Sequence, residues 1–322
     1  MSLTIPPIGF HCLRDYEKQG AAAWRGIYLD KTIPRLPSSP AQVIGTAVHA
    51  LALEGREALD KGFTVMPGGE WESDDRRVAQ EAATGTPMHV LAEPINRRTK
   101  DGKAAWAAAE LAAAGKRIIL ASELERIQPL TAAYAAAAGR TVLSATDMDM
   151  VIRMGTAVRE CPEAMALIQG GAVEVDLDGE EIVETTTGPV TVPVRGRLDI
   201  AGPGWVADLK TTEDMTPAVF DRSIVNYDYH RQLAYYNMLR LLSGDMEPMR
   251  PDGRAFIIGV EKPPTPFHPV RVEVLAIPDS LLEIGDRNNR TALANLAGAF
   301  INDSWSPAVR GVRVLRAPAW VS

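Results

Sequence analysis

Three charged residues in the centre of the chain have the types and spacing for metal-assisted phosphodiester chemistry. Asp199 lies near the end of one predicted strand, and Asp208 and Lys210 lie on the next, after a Gly-Pro-Gly turn at 202–204. Residues two apart in a strand share a face, so Asp208 and Lys210 are expected to point to the same side. If the hairpin pairs through this turn, the two carboxylates can approach each other, and a cation such as Mg²⁺ or Mn²⁺ would relieve their repulsion. Such an ion could polarise a phosphate and help to form hydroxide, while a protonated Lys210 could orient the water or stabilise negative charge on the phosphate.

The same three residues would also fit a surface network of salt bridges, so the residues that could surround them matter. Gln232 and Tyr236 are four apart on a helix predicted at 228–242, and both would reach out from one face of it. There they could contact DNA or hold the attacking water, although a helical tyrosine is more often part of the core. His49, on an otherwise apolar predicted helix, is either a hydrogen-bonded core residue or a ligand for Mn²⁺. Glu174, on the first strand of the predicted sheet, is a further carboxylate that could face the site.

The elements that would position these residues form a helical front half and a later, sheet-rich part. Alanine-rich segments predict helices, since alanine has the highest helix propensity, whereas 60–100 is typical of an extended surface loop. Later segments alternate as valine- and threonine-rich strands, and Asp178-Gly179 is a typical hairpin turn. Helices are predicted at 11–24, 43–59, 102–114, 122–139, 145–160, 228–242 and 279–300, and strands at 172–177, 181–187, 190–201, 205–211, 254–260 and 269–276. We therefore predict one α/β domain (1–322), divided into an irregular arm (1–40), a mainly helical part (41–170), a mixed central β-sheet flanked by helices (171–300) and a C-terminal tail (301–322).

Composition limits the class of protein. With 46% hydrophobic and 23% charged residues, the chain is expected to be globular and soluble, and no stretch is apolar enough to span a bilayer. Cys12 and Cys161 are too few for a four-cysteine cluster, and we find no secretion signal, so a cytoplasmic location is expected. The net charge of −7 argues against a general polyanion-binding protein, but bound cations reverse the local sign around carboxylates. DNA would need a local basic surface, and the densest cluster of basic residues lies at 97–103. An ordinary solvent-exposed loop would account for this cluster equally well. Motifs for nucleotide binding or serine hydrolysis are missing, which argues against ATP dependence.

Several short motifs, in their order and spacing, resemble the PD-(D/E)xK nuclease superfamily. Within it, the likeness is to the nuclease domain of RecE (exonuclease VIII) of phage recombination systems. The motifs are GTAVH (45–49), Glu174, RGRLD (195–199), DLKTT (208–212) and YHRQLAYY (229–236), with lesser matches at KDGKAAW (100–106), AAAGK (112–116) and GVEK (259–262). The superfamily often has proline in place of Leu198 and Glu in place of Asp208, and the second difference keeps a carboxylate.

The resemblance implies a restriction-endonuclease-like core and a deoxyribonuclease that uses Mg²⁺, with Mn²⁺ as a substitute. RecE-like enzymes degrade linear double-stranded DNA from 5′ ends and leave 3′ single strands for an annealing protein of RecT type. The resemblance also implies a ring-shaped homo-oligomer. The family's motif would make Lys210 the catalytic lysine, supported by Gln232 and Tyr236. The metal ligands it implies are Asp199, Asp208, His49, Glu174 and the carbonyl of Leu209. The residues expected to contact DNA are Arg197, Thr211 and Thr212. An endonuclease, a flap nuclease, or a non-catalytic DNA-binding or assembly protein on the same fold stays open as an alternative.

Overall fold

The computed structural model describes residues 4–68, 71–137, 139–244 and 253–306. The chain forms two compact units, one made of Met1–Gly45 with Thr156–Ser322 and the other of Thr46–Gly155. That both belong to a single domain stays a prediction. Part of the predicted tail, 307–322, lies outside the described residues. Among the described residues, no helix has both the length and the apolar character that a bilayer span requires.

The elements follow one another from helices to a sheet. The helices are α1 (Phe10–Gln19), α2 (Ala21–Tyr28), α3 (Pro40–His49), followed by a π-helical turn (Ala50–Glu54), α4 (Arg56–Gly62), α5 (Ser73–Ala83), α6 (Lys100–Ala113), α7 (Ala121–Arg126), α8 (Gln128–Ala136), α9 (Ala145–Glu160), α10 (Pro162–Gly170), α11 (Pro217–Asn226), α12 (Tyr229–Leu242) and α13 (Asp279–Ile301). The strands are β1 (Phe63–Val65), β2 (Met88–Leu91), β3 (Arg117–Leu120), β4 (Thr141–Leu143), β5 (Ala172–Thr185), β6 (Gly188–Gly202), β7 (Trp205–Thr212), β8 (Ala255–Glu261) and β9 (Val272–Ala276).

The first unit contains a mixed five-stranded sheet in the order β5-β6-β7-β8-β9. β7 and β8 are parallel, and the other neighbours are antiparallel. This arrangement confirms the predicted class, a mixed central sheet flanked by helices. The second unit holds two short parallel pairs, β1 with β4 and β2 with β3.

Helix α12 is the main support of the sheet. All of its residues from His230 to Arg240 are buried, because it packs against β5, β6, β7 and β8 as well as α13. A helix that is buried on every side needs little amphipathic pattern. Gly196 on β6 allows the close approach, since a Cβ atom there would lie 2.7 Å from Leu239 and 3.3 Å from Tyr236. The polar residues of α12 are thereby held directly against the strands.

The predicted hairpin turn at Asp178-Gly179 is wrong. β5 and β6 form one long antiparallel pair in which Gly179 lies opposite Val194, and the chain reverses after Thr185. A Cβ atom on Gly179 would lie 2.9 Å from the Cβ of Leu242 at the end of α12. Glycine within a strand often marks such a close approach of another segment. Packing against a distant helix, rather than a local turn, accounts for this glycine.

The prediction of a loop over 60–100 is also wrong, because β1, α5 and β2 lie within it. Strands of three or four residues have too little periodicity to be recognised, and both find their partners far along the chain. α5 begins with a capping box between Glu72 and Asp75, a local signal that the prediction missed. The helices predicted at 11–24 and 43–59 are interrupted at Gly20 and Gly55.

The N-terminal arm extends the sheet beside β6. Ile8 pairs with Val194 in parallel, donates its N–H to the Pro193 carbonyl at 2.9 Å and accepts from the Arg195 N–H at 2.9 Å. The Tyr235 hydroxyl of α12 also donates to the Ile8 carbonyl, at 2.5 Å. The arm therefore takes the place beside β6 that β7 occupies farther along, and α1 starts directly after it.

Candidate active site

The centre of the site is the point after Ile200 and Ala207 where β6 and β7 cease to pair, which we call the fork. The two strands pair from Gly202↔Trp205 to Ile200↔Ala207. Beyond this pairing, Asp199 is the next residue of β6, and its carboxylate accepts a hydrogen bond at 2.8 Å from the N–H of Leu209, two residues after Ala207 on β7. A side chain, rather than the main chain of β6, therefore accepts the hydrogen bond from β7 at this point. The fork fixes the Asp199 carboxylate beside the start of the DLK segment.

Asp208 and Lys210 form an ion pair on β7, where they share one face. The Lys210 Nζ lies 2.5 Å from the Asp208 carboxylate, and their side chains are 17% and 2% exposed. Burial acts to lower the pKa of Lys210, but the charges of Asp208 and Asp199 and the hydrogen bond to Asp208 outweigh it and raise the pKa. Lys210 is therefore a fixed positive charge at neutral pH.

Helix α12 holds Asp208 from the other side. The Gln232 Nε2 donates to the second Asp208 oxygen at 3.3 Å and to the Tyr236 hydroxyl at 2.8 Å. Burial raises the pKa of Tyr236, and the nearby charges of Asp208 and Asp199 add to this effect. The Tyr236 hydroxyl thus stays neutral and fixes the orientation of the Gln232 amide, which in turn orients the carboxylate of Asp208.

Glu174 occupies a strained position opposite Asp199. The register between β5 and β6 passes from Val173↔Ile200 to Val175↔Leu198, so Glu174 and Asp199 face each other across the strands. The Glu174 backbone is left-handed, with φ +53°, a conformation that costs a non-glycine residue on the order of 1–2 kcal/mol. A Glu174 carboxylate oxygen lies within 4.8 Å of one from Asp199. Strain of this kind is often retained at functional sites.

Three neighbouring strands thus carry the carboxylates of Glu174, Asp199 and Asp208, and oxygens of the first two lie within 4.8 Å of each other. Oxygen ligands of this type suit Mg²⁺ and Mn²⁺, so the donor set fits a divalent cation. The backbone of Leu209, which lies between Asp208 and Lys210, could add a carbonyl oxygen. The ligand roles of all four residues stay predictions.

The remaining predicted metal ligand, His49, is the last residue of α3 and belongs to the second unit. Gly45, one turn earlier on α3, belongs to the first unit, where a Cβ atom at this position would lie 3.4 Å from the Thr211 hydroxyl. Whether His49 is a ligand stays a prediction.

The residues predicted to contact DNA lie at the edges of the site. The Arg197 Nε donates to Glu174 at 2.6 Å, and its Nη1 lies 3.9 Å from Asp176. Thr211 and Thr212 end β7, where the Thr212 hydroxyl donates to the Asp214 carbonyl at 3.2 Å. Arg197 therefore contacts a predicted metal ligand, and DNA contact by these three residues stays a prediction.

Two residues near Lys210 were missed by the sequence analysis. The Lys210 Nζ lies over the ring of Tyr229, 4.9 Å from its centroid, as in a cation–π interaction. Tyr229 begins the YHRQLAYY motif, but nothing in its spacing indicated this contact. His11 on α1 is the second: burial lowers its pKa, the charges of Arg14 and Lys210 add to this, and Asp208 opposes it. No local pattern links His11 to a lysine so far along the chain.

Comparison with protein families gives a match over residues 135–306, more than half of the chain, to the PDDEXK-like domain of unknown function (DUF3799). The chain belongs to this family. The matched region contains Glu174, Asp199, Asp208 and Lys210, and the family description agrees with the superfamily that the motifs indicated. It does not single out RecE within that superfamily. A search of curated proteins found no match.

Among solved structures, the chain is similar to that of a "putative exonuclease" from Eubacterium rectale. The two share 12% identity with a TM-score of 0.52, over 97% of this chain and 90% of the other. At that identity the likeness concerns the fold, which it confirms as PD-(D/E)xK-like together with the family match. A second structure, of a protein called SSO0001, has 10% identity and a TM-score of 0.26 over 75% of this chain and 90% of the other, which is too low to support an argument.

Proposed function

We propose that this protein is a Mg²⁺-dependent exodeoxyribonuclease that degrades linear double-stranded DNA from its 5′ ends and leaves 3′ single-stranded tails. The observation that carries the proposal is the buried Asp208–Lys210 pair at 2.5 Å. It lies beside the fork where Asp199 accepts the Leu209 N–H. Burying such a pair in a sheet is costly, and a catalytic need for both charges explains why the pair is kept.

Each residue has a distinct task in this proposal. Asp199, Asp208 and Glu174 would hold the metal ion, with Asp208 oriented by Gln232. The ion, when bound, would act as a Lewis acid toward the scissile phosphate. Lys210 would orient the attacking water or stabilise negative charge on the phosphate, because its raised pKa keeps it protonated.

The substrate is proposed on other grounds. The motifs resemble those of RecE-like enzymes, which act on duplex ends, and the structure from Eubacterium rectale carries the name of an exonuclease. Assembly into a ring and cooperation with an annealing protein of RecT type are proposed on the resemblance alone. An endonuclease or flap nuclease would share the same catalytic residues, so the form of the substrate must be tested directly.

The test is digestion of linear duplex DNA, labelled separately at its 5′ and 3′ ends, with Mg²⁺ and with EDTA, beside a closed circular duplex. We expect Mg²⁺-dependent loss of the 5′ label first, with the circle spared. Cutting of the circle would replace the exonuclease proposal with an endonuclease. No cleavage with Mg²⁺ or Mn²⁺ would favour a DNA-binding or assembly protein.

Two substitutions test the residues. Asp208→Asn should abolish cleavage, because it removes a charged ligand while keeping the shape of the side chain. Lys210→Ala should slow the chemical step by about 10²- to 10³-fold with little loss of DNA binding. Lys61→Ala, which removes an exposed lysine paired with Glu57 on α4, is the matched control and should leave the rate unchanged. Full activity of the Asp208→Asn protein would refute the proposed site.

A further inference from the structure

Arg14 on α1 lies at one end of a row of side chains that leads to the catalytic lysine. Its Nη1 donates to the Tyr227 carbonyl at 3.5 Å. The rings of Tyr227 and Tyr229 are 5.8 Å apart, and Lys210 lies over Tyr229 at 4.9 Å. Arg14 is also three residues from His11, so the two share a face of α1. The row therefore links a second cation to the site through Tyr227 and Tyr229.

Arg14 has no anionic partner among the described residues. Among the residues that the structure describes, its buried Nε has no hydrogen-bond partner, and the side chain donates only the long hydrogen bond from Nη1 to the Tyr227 carbonyl. Arg231 in this unit has a carboxylate partner, since its Nη2 lies 2.6 Å from Glu17. Arg254, whose Nε also lacks a hydrogen-bond partner, still has the Asp279 carboxylate at 3.0 Å as an ion-pair partner. A buried Nε in a half-buried arginine that lacks a carboxylate partner calls for an explanation, since unpaired buried polar groups are rare and costly.

The electrostatic surroundings agree with a position close to the site. Burial raises the pKa of Tyr229, and the charges of Lys210 and Arg14 both oppose that shift. His11 is also influenced by both cations. Arg14 thus lies within electrostatic reach of the same two rings that Lys210 and Asp208 influence.

We propose that Arg14 binds a phosphate group of the DNA strand that is cut, and so positions this strand for cleavage. The planar guanidinium can donate two parallel hydrogen bonds to phosphate oxygens. The Nη groups are the ones that a phosphate can reach, because the Nε is buried and the hydrogen bond of Nη1 is exposed. The inference rests on the proposed nuclease function, because it assumes a DNA strand beside Lys210. The phosphate could be the terminal one at a 5′ end or an internal one, and the two sources can be separated by experiment.

The test measures DNA binding in the Asp208→Asn background, so that the DNA stays intact. Fluorescence anisotropy compares duplexes that carry a 5′ phosphate or a 5′ hydroxyl, over a range of salt concentrations. Arg14→Met should weaken binding by about 10- to 100-fold and lower the slope of log K against log [salt] by about 1. Arg14→Lys, which keeps the charge but loses the planar guanidinium group, should recover part of the affinity. Arg287→Met, which removes an exposed arginine of α13, is the matched control and should change binding by less than about 3-fold.

The pattern of loss identifies the phosphate. If Arg14 contacts a 5′-terminal phosphate, only the phosphorylated duplex loses affinity, and if it contacts an internal one, both duplexes lose it equally. A structural role predicts a lower melting temperature for Arg14→Met, whereas our proposal predicts an equal or higher one, because an unsatisfied donor is removed.

Two outcomes overturn the proposal. If the unchanged protein cleaves DNA but Arg14→Met binds like Arg287→Met, the Arg14 inference fails and the proposed function stands. If the unchanged protein neither binds nor cleaves duplex DNA, both fail.

Discussion

Glu174 offers the sharpest test of how the site is built, because its backbone strain predicts an inverted effect of glycine. At an ordinary strand position, glycine is less stable than alanine by about 0.5–1 kcal/mol, since its unfolded chain has more freedom to lose. At φ +53° the left-handed backbone is strained for alanine but not for glycine. Glu174→Gly should therefore be more stable than Glu174→Ala, the reverse of the usual order.

The size of the effect follows from two opposing contributions. The left-handed conformation destabilises the alanine variant by about 1–2 kcal/mol. The greater freedom of the unfolded glycine variant destabilises that variant by about 0.5–1 kcal/mol. From the midpoints of these two ranges, the expected difference in the free energy of unfolding is about 0.75 kcal/mol in favour of glycine. Both variants lose the contact of Glu174 with Arg197, so that this loss cancels in the comparison.

Urea unfolding in EDTA, followed by tryptophan fluorescence, measures the difference without any contribution from a metal. The matched control is the Ala and Gly pair at Asp176, an exposed position on the same strand without positive φ, where alanine should be the more stable. If glycine at 174 is no more stable than alanine, the strain argument is refuted. Because both variants also remove the carboxylate, each should require more Mg²⁺ for half-maximal cleavage, and an unchanged requirement would exclude Glu174 as a ligand.

Two further predictions concern packing and pH. Gly179→Ala should lower the free energy of unfolding by about 1–3 kcal/mol, because its Cβ would lie 2.9 Å from Leu242; Gly298→Ala, on α13 with nothing within 4 Å, is the control and should stabilise the protein slightly. A Gly179→Ala melting curve that matches the unchanged protein would contradict the close approach. Burial raises the pKa of Cys12 to about 11, so alkylation of the native thiol, followed by mass spectrometry, should be slow at pH 8 and accelerate toward pH 11. Because the pKa is raised in the folded state, the buried thiol stabilises the fold at a pH below its unfolded pKa of about 8.5. This contribution to the free energy of unfolding should be lost as the pH rises through about 11. Rapid alkylation at pH 8 would contradict the burial of Cys12.

The sequence by itself was enough to group the residues whose positions depend on local geometry. The two-residue period of a strand puts Asp208 and Lys210 on one face, and the Gly-Pro-Gly turn brings Asp199 next to them. The four-residue spacing of Gln232 and Tyr236 on a helix lets the two side chains meet. These relations hold over a few residues, so that the pattern of the chain determines them before any tertiary contact forms.

The tertiary structure decided everything that joins distant segments. Asp178-Gly179 has the local chemistry of a turn, yet α12 packs so closely there that the glycine serves the packing instead. Glu174 faces Asp199 through the register of two strands, and its left-handed backbone follows from that placement. Arg14 comes within electrostatic reach of the Tyr229 ring that Lys210 covers, because α1 follows the arm that pairs with β6. Such pairings depend on the free energy of packing residues that are far apart in the chain, and no local period of the sequence encodes it.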